Sequence, residues 1–477
     1  MLFPSVAFLV FAAVFYLLWP VARRRENVRY AYLVGASFLF YGWWDWRFLF
    51  LILASGILDF VAGLGMRGRP GARKAWLALS VAGNVGSLAA FKYSGFLAEN
   101  LSGLLALAGM DVDLTAALPR FVLILPVGIS FYTFQSMSYT IDVYRGRLEP
   151  TRNPLHFFAY LALFPQLVAG PIVRASELLP QLRRPPRTTE ADRWAGLRRI
   201  VHGFFKKMVL ADGLAWFVAD AFGAVEPSVS SLYWWLITTA FAVQIYCDFS
   251  GYSDIARGLA RWMGYDFLEN FNHPYVSSSL REFWARWHIS LSTWFRDYLY
   301  LPLGGSRRGP LRSAVNLWIT MLVSGLWHGA AWTFLLWGGC HALFLSMERL
   351  TRWPERLRGV TGGRLAATAL VLAQVWVGWV FFRAESAAQA VRILRTMFSF
   401  SGGPASVRAE MGGSDALAVV LLILAAASRE AWIWLGLGRP PLPERLRAPV
   451  ETVAPSLMIA ACVYLRGPGS AFIYFQF

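Results

Sequence analysis

His328 is the residue of this 477-residue chain best placed to do chemistry. It lies in VSGLWHGAAW (323–332), flanked by Gly325, Gly329 and two tryptophans, inside an apolar run from Ala314 to Met347. Imidazole titrates near pH 6.5, so a neutral ring can take the proton of a hydroxyl as that hydroxyl reacts. An ionisable side chain within such a segment is a functional-site candidate by default. The plainer reading is a hydrogen-bonded core histidine. His288, in RWHISLSTW (286–294), is the second candidate, and organising a vestibule is its competing role.

Around His288, Arg281, Glu282, Arg286 and Arg296 alternate with Phe283, Trp284, Trp287, Leu291, Trp294 and Phe295. These apolar positions follow helical spacing, which predicts one amphipathic helix over 280–298 at a membrane interface. Such a helix either lies passively on the cytoplasmic face or rims a basic, aromatic vestibule for an anionic cofactor. Arginine pairs bidentately with phosphate, so Arg281, Arg286 and Arg296 are candidate anion holders; contact with lipid headgroups is the alternative. Trp287, Trp327 and Asn316 complete the candidate substrate-binding set. Asp248 and Asp254 in YCDFSGYSD (246–254) suggest a metal or acid/base pair, or helix caps paired with Arg257 or Arg261. Asn270, Asn272 and His273 before Pro274 read as a turn. His156, His202 and His341 have no partner in sequence. Cys247, Cys340 and Cys462 have unrelated spacing and read as free thiols, not as a metal motif.

The elements that position these residues are membrane helices. Hydrophobic residues make up 57% of the chain and charged ones 15%, with mean hydropathy +0.46; soluble chains carry about 25% charged residues. Backbone polar groups in lipid must be satisfied within their own segment, which predicts an all-α integral membrane protein. Twelve spans are expected, at 2–20, 30–46, 48–66, 76–93, 121–143, 200–223, 232–250, 313–327, 330–348, 364–383, 415–436 and 451–466. The first reads as a retained span, because it lacks a basic lead and a cleavage site. Residues 155–171, with Pro165, Gly170 and Pro171 between basic loops, read as re-entrant or interfacial. The run 314–347 as one helix would reach roughly 50 Å, against a hydrocarbon core of about 30 Å. It must bend or break, at Gly325 and Gly329, leaving His328 near mid-membrane beside a water-accessible tunnel. The net charge of +17 sits in short loops, such as 23–29, 67–74, 183–199, 304–312 and 348–359. The positive-inside rule places these in the cytoplasm and starts the N-terminus outside. That placement favours a membrane reading over nucleic-acid binding. No internal repeat is visible, and interior charges read as few, which counts against a transporter.

Several stretches are similar to a known family. LPVGISFYTFQSMSYTIDVYR (125–145), FPQLVAGPIVR (164–174), the long block 244–305, GLWHGAAWTFLLWGGCH (325–341) and FIYFQF (472–477) resemble the membrane-bound O-acyltransferases. Within these the likeness is greatest to the bacterial branch containing the alginate O-acetylation membrane protein. The teichoic acid D-alanyl transfer protein is a more distant relative. Residues 400–450 match nothing in the family. The resemblance implies a ring of about 10–12 transmembrane helices plus re-entrant or interfacial helices around a central tunnel. It implies a single polytopic domain over 1–477, with its catalytic core at about 121–350. It makes His328 the catalytic histidine and His288 the second one. It implies acetyl-CoA as donor, no metal, and a polysaccharide acceptor outside the bacterial inner membrane. An exported hydrolase-like acetyltransferase is the implied partner, besides membrane lipids. The alternative is a multi-span transporter of a polysaccharide or lipid precursor.

Overall fold

The computed structural model describes residues 1–168, 170–225, 227–436 and 444–473, with 444–450 as backbone alone. Residues 438–443 of the last basic loop and 474–477 of FIYFQF lie outside the described residues. Every regular element among the described residues is helical. The chain forms two compact units, 1–200 with 255–268, and 201–254 with 269–477.

In the first unit, α1 (Val6–Ala22) starts where the Ser5 hydroxyl accepts from the Phe8 amide at 3.2 Å, a serine N-cap. Phe8, Phe11 and Phe15 fall on one face and are buried, with Phe8 and Phe11 against Phe40 of α2 (Glu26–Gly42). Phe164 closes the same cluster edge-on to Phe11 and Phe15. α3 (Leu49–Gly68), α4 (Arg73–Leu88), α5 (Ser94–Leu107) and α6 (Ile129–Tyr144) follow. Buried Asp59 on α3 accepts from Asn84 of α4 at 2.8 Å and from Ser136 of α6, a polar tie between apolar helices. α5 was not among the expected spans, and α6 begins at 129 where a span from 121 was expected. Residues 155–171 fold as α7 (Pro154–Leu161) and α8 (Phe164–Leu167), with Phe157, Tyr160, Leu163 and Phe164 fully buried. This short broken segment is covered by protein, as irregular backbone at membrane depth must be. α9 (Ala175–Arg183) and α10 (Glu190–Phe205) follow; the unit takes α10 as far as residue 200, and residues 255–268 later in the chain.

The second unit contains α11 (Asp212–Gly223), α12 (Ser231–Met263), α13 (Leu280–Arg286), α14 (Ile289–Phe295), α15 (Pro310–His328) and α16 (Trp332–Thr351). After the short α17 (Trp353–Arg358) come α18 (Gly363–Arg383), α19 (Ala387–Met397), α20 (Pro404–Met411), α21 (Gly413–Trp434) and α22 (Glu444–Tyr464). Its core is aromatic, built on Trp234, Trp287, Trp337 and Trp379. Among the described residues, three stretches are both long and apolar enough to cross a membrane: Trp46–Gly68, Gly363–Arg383 and Gly413–Trp434. Others, such as α12, α15 and α16, are long enough but less apolar, and some are interrupted, as where a π-helical turn at Lys206–Ala211 joins α10 to α11.

Candidate active site

The apolar run around His328 breaks instead of bending. His328 is the last residue of α15, Gly329 is extended at φ −158° and ψ 150°, and α16 starts at Trp332. Gly325 lies against the Phe334 carbonyl and Gly338 against that of Met321. One sequence number rises as the other falls, so α15 and α16 run antiparallel as a hairpin. The glycines are what let the two backbones approach. His328 therefore stands at the hairpin's apex, a full helix length, about 28 Å, from Pro310. The break falls where the sequence places it, between the expected spans 313–327 and 330–348. The imidazole is buried and ringed edge-on by Trp327, Trp337 and Phe382 at centroid distances of 5.0, 4.9 and 5.4 Å.

The expected single amphipathic helix over 280–298 is also two helices. Ser279 caps α13 by accepting from the Glu282 amide at 3.0 Å. His288 then takes a left-handed conformation, φ +42°, and starts α14. Asn270 fixes this corner: its side-chain oxygen accepts from the Ser290 amide at 3.2 Å and the Ser290 hydroxyl at 2.8 Å, and lies 3.2 Å from His288 Nδ1. The Asn270–His273 stretch is the expected turn, and its polar side chain sets the break. The Leu280 amide donates to Glu348 near the foot of α16, and Tyr300 meets Ser313 near the foot of α15 at 3.1 Å. Between them, His288 reaches Trp327 at the apex, 6.0 Å between centroids. The segment is a second, inserted hairpin and does not lie flat on a surface. The physical reason is that Phe283, Trp287, Leu291, Trp294 and Phe295 are all buried, so no single face is left for an interface.

A cavity of about 610 Å³ lies between the two hairpins. Arg281, Arg296, Arg349, Ser306 and Tyr300 line one part of it. Leu317, Thr320, Met321 and Ser324 of α15 line another, at i, i+3, i+4 and i+7. His328, four residues beyond Ser324, continues that helical face one turn further. Of the sequence candidates, Arg281 and Arg296 line the cavity. Arg286 is paired with Glu282 at 2.9 Å and donates to the Asn272 carbonyl at 3.1 Å. Trp287 is in the aromatic core against Phe283, Phe271 and Trp379. Asn316 donates to the carbonyls of Leu303 and Gly305 and holds that turn. Trp327 stands between the two histidines. His156, bonded to Thr151 and Leu179, is a satisfied core residue. All three cysteines are free. No grouping of metal-type ligands exists among the described residues.

The sequence pattern of the MBOAT, membrane-bound O-acyltransferase family matches residues 149–382. The chain is 40% identical to the "Probable alginate O-acetylase AlgI" of Pseudomonas putida, over 90% of this chain and 87% of that one. It belongs to the membrane-bound O-acyltransferase family. The Pseudomonas aeruginosa protein with the same description is 42% identical over 90% of this chain and 81% of its own. The peptidoglycan O-acetyltransferase of Helicobacter pylori is 32% identical over 78% and 74%.

Two features of this O-acyltransferase escaped the sequence reading. The first is His341. It is fully buried, and neither ring nitrogen has a hydrogen-bond partner in the protein. It lies one turn along α16 from Trp337, 4.9 Å between rings, and the hairpin sets that same indole against His328; Trp284 of the cavity wall is 5.1 Å from His341. On one continuous helix the two histidines would sit nearly opposite each other; reversing the chain removes that separation. The second is a buried ion cluster. Lys207 lies 2.7 Å from Asp212 and 2.8 Å from Asp248, and Asp254 pairs with Lys206 at 2.8 Å. Ser470 donates to Asp212 and the Ile473 amide to Asp248, at 2.6 and 2.7 Å. Asp248 and Asp254 thus sit mid-helix against lysines and do not cap the end of a span. Interior charges are not few: besides this cluster, Arg29, Asp59, Asp142 and Glu348 are buried. The signal available in sequence was Lys206–Lys207 inside an otherwise apolar stretch.

Proposed function

We propose that this chain is an O-acetyltransferase that moves acetyl groups from cytoplasmic acetyl-CoA to hydroxyls of an extracytoplasmic polysaccharide, directly or through an exported partner protein. The chain from 1 to 477 then works as one multi-pass domain of the bacterial inner membrane, with its chemistry within 121–350. The relatives named above supply the acceptor class. The observation that carries the reading is the α15 face that runs from the arginine-lined cavity to His328. The diphosphate and 3′-phosphate of the donor meet Arg281, Arg296 and Arg349, since guanidinium pairs with phosphate in charge-assisted bonds. The thioester arm follows the apolar and hydroxyl-bearing face toward the apex.

At the apex the neutral imidazole of His328 is the form that takes the proton of the acceptor hydroxyl as its oxygen attacks the thioester carbonyl carbon. The carbon–sulfur bond breaks, and the imidazolium returns its proton to the leaving thiolate. A new ester and free thiol result. General-base help of this kind supplies about 10²–10⁴-fold, and the aromatic ring around His328 excludes competing water. His288, fixed by Asn270, supports the apex from the second hairpin. The test is His328→Ala in cells, with polymer acetyl content and membrane abundance measured together. Acetylation is expected to vanish at normal abundance. Near wild-type acetylation at that abundance would remove His328 from the mechanism.

A further inference from the structure

A second cavity of about 440 Å³ lies away from both hairpin apices, among α12, α18, α21 and the Pro274–Val276 turn. Its walls are Val243, Leu372, Trp376, Ile423, Ala426 and their apolar neighbours. The size is that of a small-molecule site. Along α18 it runs from Leu365 to Trp376, eleven residues or about 16 Å of helix rise. That is half of a hydrocarbon core of about 30 Å, the depth of one leaflet. α21 carries the outer wall. Its Leu417, Leu421 and Leu424 are more than half exposed, so its far side faces lipid.

One end of the cavity is polar. Glu430 lines it, accepting at Oε1 from Tyr246 at 3.2 Å and lying 2.8 Å from His273 Nδ1. Its other oxygen, Oε2, is buried and has no hydrogen-bond partner. A buried carboxylate oxygen is costly unless a donor meets it. Trp434 donates to Thr368 at 3.1 Å at this end, and Arg364 stacks over the Trp434 ring at 4.9 Å. Tryptophan and arginine are the residues of a membrane–water boundary. The basic loops that precede α18 and follow α21 place that boundary on the cytoplasmic side.

We propose that this cavity holds one acyl chain of an inner-leaflet aminophospholipid, with its ammonium group on Glu430. An ammonium offers three donors and a positive charge to the unmet oxygen. Arg364, stacked on the cavity-lining Trp434, stands at this end for the phosphodiester. An anionic lipid without an amine leaves Oε2 unmet and brings like charge to the carboxylate. The site is a lipid site separate from acyl transfer, and it stands or falls independently of His328.

The purified chain is placed in vesicles of phosphatidylethanolamine and phosphatidylglycerol in roughly equal parts. Each lipid in turn carries a photoactivatable diazirine on its acyl chain, and labelled peptides are mapped. The ethanolamine probe is expected to label the 365–376 and 423–435 stretches several-fold more than the glycerol probe. Glu430→Gln is expected to bring the two to parity. Ala426→Trp, or Leu372→Trp from the facing helix, is expected to abolish labelling of these stretches by either probe. Labelling at the lipid-facing 417–421 stretch reports that each variant is folded and inserted, and if one filled variant fails this check the other decides. Parity of the two probes in the unaltered chain, or an unchanged ratio in Glu430→Gln, overturns the headgroup assignment. Undiminished labelling in a folded filled variant overturns the cavity itself.

Discussion

Replacing Gly325 by alanine tests whether the α15–α16 hairpin sets the position of His328. A Cβ at Gly325 would press on the Phe334 carbonyl, with the carbonyl carbon at 3.0 Å and its oxygen nearer still. Ordinary contact starts at 3.4 Å, and the obstacle is backbone, which no rotamer change can move aside. The two helices must therefore part by about 1 Å. Overpacking a close-packed contact costs about 1–3 kcal/mol. A misplacement near 1 Å at a catalytic group costs about 10²-fold in rate. His328 is three residues from the wedge, so both effects are expected together. Melting in detergent gives the first and acetyl transfer from labelled donor to polymer the second. Gly339→Ala is the control, because the nearest atom to its Cβ would be Leu322 Cδ2 at 4.0 Å, and it is expected to leave both unchanged. Wild-type melting and rate in Gly325→Ala, or an equal loss in Gly339→Ala, would refute the argument.

Lys207→Met leaves Asp212 and Asp248 buried without their counter-ion and is expected to cost about 3–5 kcal/mol in melting experiments; adding Asp212→Asn and Asp248→Asn recovers most of it. A single-variant loss below about 1 kcal/mol would contradict this. His341→Phe keeps the shape and removes two unbonded nitrogens. It is expected to melt at or above the wild-type temperature, since an unmet buried polar group costs about 1–3 kcal/mol, while the acetylation rate falls at least tenfold. Unchanged rate would make His341 a packing residue only. In a chain with Cys247, Cys340 and Cys462 replaced, Ser306→Cys on the first cavity is expected to react with an impermeant maleimide only after cells are opened, and Ser228→Cys in intact spheroplasts. The reverse pattern would put the donor cavity on the wrong side of the membrane.

What was legible in the sequence follows from how each signal is encoded. Hydropathy is a local property, so α1, α3, α18 and α21 fall within a few residues of the spans expected for them. The break at His328 was legible too, because an apolar run too long for a bilayer needs an end and the glycines beside it offered one. The spans expected at 313–327 and 330–348 already reverse the chain there, but a run length does not encode how closely the two helices pack. That depends on whether two small faces, here Gly325 and Gly338, can meet, and it decides where His328 sits and which residues join it. The same holds for 280–298. Helical periodicity persisted across it, and the corner comes from Asn270, whose carbonyl oxygen offers Ser290 hydrogen bonds that the turn needs. His341 and the Lys207 cluster were out of reach for one shared reason. Each gains its meaning from a partner on another helix, and a single apolar segment carries no record of which neighbour its few polar atoms will face. Residues that act across helices are thus where a membrane sequence is hardest to read. They are also where a substitution gives the most information, since lipid offers an abandoned polar partner nothing in exchange.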